Sequence, residues 1–412
     1  MYISNKGVGP LFSKKAIWYD CYFRLLGLSM KPRKILLLSV SAGAGHMRAA
    51  EAIRAHAGDG VQATHLDVMD YVSAGFRKLY TDFYITLVNK MPALWGYLYQ
   101  ATHDAPAHSS MQRLRRGVER LNTRALLKEI EAFQPDAIIC THFLPAELLS
   151  RAIGKGELAC PVWVQVTDFD LHRLWIQENM AGYFAGNDEV AFRMRASGVP
   201  AARVHQTGIP IMPAFGQPLQ RAASAAEFGL DPARPTLLMM GGGAGLGSLE
   251  TVAERLLALE GDFQLIVLAG KNAQALAALQ RLAQRHPGRL LPQGFTNQVE
   301  RLMACADLVI TKPGGLTTSE CLAMGLPMIV NSPIPGQEER NSDFLLEQGV
   351  ALKAFDAVTL EYRVQLLLRD PARLAAMAVR ARALGKPDAA SQVLAQVLGQ
   401  PATPVFAGAR AA

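Results

Sequence analysis

Apolar residues along the chain gather in short runs, and between the runs apolar positions recur at helical spacing. The first series of runs covers 34–40, 61–66, 136–140, 162–166, 182–185 and 203–206, with helical spacing over 46–57, 112–132, 144–153 and 188–197. A second series opens with "TLLMMGG" and continues through "FQLIVLAG", "RLLPQG", "DLVITK", "PMIVN" and "ALKA". Helices fit between these at 248–259, 273–285, 296–304, 317–324 and 338–348. Strand–helix alternation of this kind predicts parallel sheets with helices on both faces. The first series ends near "GIPIMPAF", and the proline- and alanine-bearing segment 214–235 reads as a linker. The expected fold class is therefore α/β, with two doubly wound, Rossmann-like domains facing a central cleft. The first would span 33–213 and the second 236–385, with a C-terminal helix and tail over 386–412. Ligands in such sheets sit at the carboxyl ends of the strands, so both domains would present loops to one cleft.

Residues 71–117 break the alternation. They are rich in aromatics (Tyr71, Phe76, Tyr80, Phe83, Tyr84, Trp95, Tyr97, Tyr99), and arginines follow at Arg113, Arg115, Arg116, Arg120 and Arg124. Aromatic rings beside cations suit a membrane interface. The plainer alternative is a helical insertion packing its rings on the core. The net charge of +7 fits an anionic membrane surface, a nucleic acid or an anionic substrate, and equally an ordinary solubilising charge. Five scattered cysteines, none in a CxxC pair, argue for a reducing compartment without a disulfide framework. No apolar run reaches the roughly 18 residues a membrane span needs. Residues 1–32 are an N-terminal extension with charges inside its apolar part. Met30 directly precedes "KPRKILLLSV" and is a natural start, which would make 1–29 a misassigned upstream stretch. The competing reading is a basic amphipathic helix resting on a membrane.

Three loops carry candidate chemistry. "SAGAGH" (41–46) follows the first strand and ends in a histidine. "MMGGGAGLGS" (239–248) opens the second series, and its glycines allow backbone amides to approach an anion at the start of the next helix. "TKPGGLTTSECLAMGLP" (311–327) is more specific. Lys312 supplies a cation at a strand end, Pro313, Gly314 and Gly315 form a turn, and Thr317 and Thr318 start a helix. Glu320 lies one turn in, where a carboxylate can accept from two ribose hydroxyls. "PIPGQEERN" (333–341) adds Gln337, Glu338 and Asn341 at another strand end, polar groups that suit a sugar.

"TKPGGLTTSE…GLP" followed by "PGQEERN" resembles the nucleotide-sugar domain of inverting GT-B glycosyltransferases. With "SAGAGHMRAAEAI", "THFLPAEL", "VTDFDLHRLW", "GIPI" and "LMMGGGAGLG", the resemblance covers about residues 33 to 385. It is most specific to the family 28 branch of diacylglycerol glycosyltransferases: monogalactosyldiacylglycerol synthases and bacterial diacylglycerol glucosyltransferases. The resemblance implies a UDP-hexose donor, glucose or galactose, and a diacylglycerol acceptor. It implies no cofactor and a peripheral place on the cytoplasmic face of the cell membrane, with anionic lipids as partners. Glu320 would then hold the ribose, and Phe295 and Thr296 would present backbone to the uracil. Lys312, Gly314, Gly315 and Thr317, with Gly243 and Gly245, would hold the diphosphate. Gln337, Glu338 and Asn341 would read the hexose. His46 would be the base that takes the acceptor proton, with Asp168 of "TDFDLH" a second base or an orienting partner. His172 and Trp175 would shape the acceptor pocket, with Tyr84, Trp95, Arg115 and Arg116 toward the membrane. No DxD motif stands at a suitable strand end, so no essential metal is expected. "SAGAGH" departs from the plant-type pattern at Ala44, which replaces a glycine.

Rival readings fail at particular residues. "GAGHMR" begins like a dinucleotide fingerprint, and Asp67 stands where a ribose acid would, but Arg48 occupies the last glycine position. Neither glycine loop is followed by GK[ST], which excludes a P-loop. A lipid-binding pseudoenzyme fits poorly with an intact His46 and Glu320. A polyprenyl lipid or a small molecule is the alternative acceptor.

Overall fold

The computed structural model describes residues 32–41, 43–72, 123–241, 248–331 and 333–399, together with positions 75, 77, 91, 94, 96 and 97. Each apolar run of the first series becomes a strand: β1 (Arg33–Ser39), β2 (Val61–Asp67), β3 (Ala137–Cys140), β4 (Val162–Gln165), β5 (Gly182–Ala185) and β6 (Val204–Gln206). They form one parallel sheet in the order β2-β1-β3-β4-β5-β6. The second series gives β7 (Thr236–Met239), β8 (Gln264–Gly270), β9 (Leu290–Gly294), β10 (Leu308–Thr311), β11 (Met328–Asn331) and β12 (Ala351–Ala354). Their order is β12-β11-β10-β7-β8-β9, again with all pairs parallel.

Helices α1 (Ala44–Ala55), α2 (Thr123–Phe133), α3 (Phe143–Gly154) and α4 (Asp188–Ala196) cover the first sheet. The second carries α6 (Leu249–Leu257), α7 (Ala273–Arg285), α8 (Val299–Cys305), α9 (Gly315–Met324), α10 (Gln337–Glu347), α11 (Ala357–Arg369) and α12 (Pro371–Leu384), after α5 (Arg221–Phe228) and before α13 (Ala389–Leu398). No helix among the described residues is long and apolar enough to cross a membrane.

Two elements depart from the expected organisation. Segment 214–235 is not a plain linker. Its alanine run forms α5, closed by Gly229 in the left-handed region (φ +67°). Alanine's helix propensity prevails there, because the prolines stand outside the run. Arg221 at its start grips both oxygens of Asp307 at 2.8 and 2.9 Å, which fixes the segment to the second domain. The C-terminal helix α13 belongs physically to the first domain. Its Ala390, Val393, Leu394 and Val397 are buried with Ile35, Leu37, Ala50, Ile53, Trp163 and Phe184. The chain recrosses beside Gly208 (φ +93°), where a Cβ would stand 2.5 Å from the Lys386 side chain.

Candidate active site

Each sheet reverses its winding direction once. In the first the reversal lies between β1 and β3, and in the second between β7 and β10. Loops leaving neighbouring strands part there and open a crevice at the carboxyl ends. The loops so placed lead into α1 and α3 on one side and into α9 on the other. The two crevices face each other closely: Gly45 lies 3.6 Å from the Leu316 methyl, measured from the position its Cβ would take. A Cβ on Gly315 would run into the Thr167 carbonyl oxygen. Gly315 is therefore required by the meeting of the two domains.

His46 sits in the first turn of α1, whose N-cap, Gly43, offers no side-chain cap. Its Nδ1 is 3.0 Å from the Thr141 carbonyl and 2.8 Å from Thr167 Oγ1. A carbonyl can only accept, so Nδ1 carries the proton and Nε2 keeps its lone pair. Thr141 Oγ1 in turn donates to the His46 carbonyl at 2.9 Å. The ring packs edge-on against His142, centroids 4.6 Å apart, with Trp175 at 6.1 Å. Burial pushes the His46 pKa down to about 4, with the Thr141 carbonyl pulling only partly the other way. The imidazole is thus neutral at ordinary pH, as a base must be.

On the opposite wall, Gly314 ends the turn after β10 and is the N-cap of α9, again without a side-chain cap. The first amides of α9 therefore remain available to an anion, with Lys312 and Thr317 alongside. Glu320 is buried in the second turn and pairs with Arg48 of α1 across the cleft, N···O 3.6 Å. Burial lifts its pKa to about 7 against the pull of Arg48. Phe295 is exposed, with the Lys271 ammonium 5.2 Å over its ring, and Thr296 Oγ1 accepts from Gln298 N at 3.0 Å.

The segment Thr167–Asp170 binds the start of α10. Asp168 Oδ1 accepts from Gln337 Nε2 at 2.7 Å, and Phe169 N donates to Asn341 Oδ1 at 2.8 Å. The Phe169 and Phe344 rings stack at 4.7 Å, and Arg340 reaches Asp170 at 3.1 Å. The orienting contact on His46 comes from Thr167, and the Asp168 carboxylate is turned toward Gln337. Burial pushes the Asp168 pKa up to about 6, with the Gln337 bond opposing. Asn341 is fully enclosed and holds Phe169. Glu338 Oε2 accepts from Ile334 N at 2.7 Å.

Of the acceptor-side candidates, Trp175 is buried against His46 and His142, while His172 caps its own turn by accepting from Leu174 N at 3.2 Å. Gly243, Gly245, Tyr84, Trp95, Arg115 and Arg116 lie outside the described residues. Thr141, His142 and Thr167 join the site without having been singled out from sequence, and Arg48, noted there only as breaking a dinucleotide fingerprint, joins it as the partner of Glu320. The first two lie in "CTHFLPAEL" and "THFLPAEL" was visible as a motif, but only the fold brings it to His46.

Two doubly wound domains with a histidine on one wall and an uncapped, cation-flanked helix on the other define the GT-B class of glycosyltransferase. Solved structures share this fold: MurG of Acinetobacter baumannii (TM-score 0.58, 16% identity, covering 90% of this chain and 100% of that one), and a UDP-glucosyltransferase from Polygonum tinctorium (TM-score 0.59, 14%, covering 90% and 100%). Two family models match, monogalactosyldiacylglycerol (MGDG) synthase over residues 46–211 and the glycosyltransferase family 28 C-terminal domain over 236–393. Among curated relatives, the processive diacylglycerol beta-glucosyltransferase of Bacillus pumilus is 31% identical over 68% of this chain and 73% of its own length. That of Bacillus cereus is 26% identical over 90% and 95%. The chain belongs to the diacylglycerol glycosyltransferase family, within glycosyltransferase family 28.

Proposed function

We propose that the protein transfers a hexose from a UDP-sugar to the hydroxyl of 1,2-diacylglycerol with inversion, giving a β-glycosyl diacylglycerol. The observation that carries this reading is His46: its Nδ1 proton is committed to the Thr141 carbonyl, its Nε2 lone pair is unengaged among the described residues, and it stands at the closed junction with α9. In the reaction, Nε2 takes the proton of the glycerol hydroxyl as that oxygen bonds to the anomeric carbon. The bond from that carbon to the diphosphate breaks on the opposite face, and UDP leaves. The α9 amides and Lys312 stabilise the diphosphate charge, and Glu320 holds the ribose hydroxyls. Phe295 and Thr296 flank the uracil, and Gln337 and Glu338 read the hexose. Family membership, and relatives named diacylglycerol glucosyltransferases, support this donor and acceptor pair.

The protein would work as a peripheral enzyme at a membrane surface, drawn to anionic lipid through residues 71–124. Met91, Leu94 and Tyr97 in that segment expose their side chains, and Gly96 lies against Pro335 of the "PGQE" loop. Apolar side chains presented beside the sugar loop suit a lipid acceptor. Incubation with labelled UDP-glucose or UDP-galactose and diacylglycerol vesicles should yield a β-linked glycolipid, with more enzyme sedimenting on anionic vesicles. Failure with diacylglycerol, alongside transfer to a polyprenyl or small-molecule acceptor, would overturn the acceptor assignment.

A further inference from the structure

Arg48 stands two residues beyond His46 on α1, yet its guanidinium reaches the other domain, 3.6 Å from Glu320 Oε1. The Glu320 side chain is 10% exposed and the Arg48 side chain 49%. A buried carboxylate without a cation favours its neutral form. Among the described residues, the charges that act on Glu320 are Arg48 from α1 and Glu300 from α8, and the second repels. Cys321 is its neighbour on α9, buried with a thiol pushed far up, and so uncharged. Helix α12 also packs on α9, but its Arg382 bonds the Met324 carbonyl at the far end, 3.0 Å away. The support for a charged Glu320 thus comes from the domain that carries the base. At 3.6 Å the pair is looser than the 2.7–2.9 Å of a charge-assisted hydrogen bond. The carboxylate lone pairs therefore remain free to accept hydroxyls.

We propose that Arg48 is a positioning residue for the donor: it holds Glu320 ionised and aligned across the cleft, so that the nucleotide pocket is complete only when α1 and His46 are closed over it. This rests on the reading of Glu320 as the ribose carboxylate. Donor binding and placement of the base then become one event. A UDP-sugar that engages Glu320 also stabilises the arrangement that brings His46 to the anomeric carbon.

The test is calorimetric titration of UDP-glucose and UDP-galactose, whose diphosphates do not titrate between pH 6 and 9, into wild type, Arg48→Met, Arg48→Lys, Glu320→Gln and the Met/Gln double variant. Arg48→Met should bind donor about fivefold more weakly at pH 7, because raising a carboxyl that titrates near 7 by one pKa unit cuts its ionised fraction from about a half to about a tenth. The loss should shrink toward pH 9, where Glu320 ionises unaided. Arg48→Lys should keep affinity within about threefold, because a single loose contact needs a charge and not a fork. In the Glu320→Gln background Arg48→Met should add less than about twofold. Unchanged affinity in Arg48→Met, a loss of equal size at every pH, or full additivity with Glu320→Gln would each overturn the proposal. Failure of the donor reading itself would show separately, as wild type binding neither nucleotide sugar.

Discussion

One methyl group added at Gly315 is expected to open the cleft without unfolding either domain. A Cβ there would overlap the Thr167 carbonyl oxygen and lie 3.1 Å from its carbon. Both are backbone atoms, so no rotamer change relieves the overlap. Enduring it costs about 1–3 kcal/mol. Escaping it by separating the walls sacrifices the Asp168–Gln337 and Phe169–Asn341 bonds, each about 1 kcal/mol. Either route penalises closure by about 1–3 kcal/mol, which lowers the closed population about 5- to 150-fold. Within α9 itself alanine is the better helix former, by about 1 kcal/mol. Transfer to diacylglycerol should therefore fall about 5- to 150-fold while the melting temperature holds or rises. Gly45→Ala is the matched control, because its Cβ meets only the Leu316 methyl at an ordinary 3.6 Å. Steady-state transfer and thermal melts of the two variants decide the matter. A Gly315→Ala enzyme within twofold of wild type would refute the reasoning, and so would a melting temperature several degrees lower.

Four further expectations follow from the same contacts. His46→Ala should abolish transfer and leave UDP-hexose affinity unchanged by calorimetry; a collapse of affinity with turnover retained would make the ring structural. Thr167→Val removes one of two groups holding Nδ1, so kcat should fall about fivefold at constant donor KM, and Thr167→Ser should restore it; a change in KM alone would contradict this. Asp168 has a folded pKa of about 6 against 3.8, so the folded state binds the extra proton and stability falls as pH rises from about 4 through 6. Asp168→Asn should accordingly gain up to about 2–3 kcal/mol over wild type at pH 8 and much less at pH 4, and a pH-independent difference in melting temperature would count against it. Leu394→Ala, in the helix that closes the first domain, should cost about 2–5 kcal/mol in denaturant unfolding; a loss below 1 kcal/mol would mean that α13 is not part of that core.

The strands were legible because a parallel strand covered on both faces is an uninterrupted apolar run, as in "ILLLS" and "LVIT". Helix starts were less so. α1 begins at Ala44, ahead of the first expected position, because glycine serves as its N-cap and leaves no polar signal. α8 begins late, at Val299, because Thr296 Oγ1 first closes a turn on Gln298 N. At the site, His46, Lys312 and Glu320 announced themselves through short motifs. Their partners did not, because those lie far along the chain: Thr141 and Thr167 are separated from His46 by 95 and 121 positions. "TDFD" drew attention to its carboxylate, but the chain bends over 168–170, and the residue that reaches His46 is the threonine before the bend. Thr167 meets His46, whereas Asp168 meets Gln337 at the start of α10.

The bonds at the start of α10 narrow how a sugar could be read. Gln337 gives one N–H to Asp168, and its second N–H and its carbonyl remain for hexose hydroxyls. Glu338 spends Oε2 on Ile334 N and keeps Oε1. Asn341 is fully enclosed, with Oδ1 committed to Phe169 N, so its influence on the sugar passes through the Thr167–Asp170 segment. If Gln337 reads the hexose as proposed, it joins sugar recognition to domain closure: its amide is tied to Asp168, the neighbour of the threonine that holds His46. A hexose that pulled Gln337 out of line would loosen that segment and with it the base. Discrimination between axial and equatorial hydroxyls at this position should therefore be expressed in kcat more than in donor affinity.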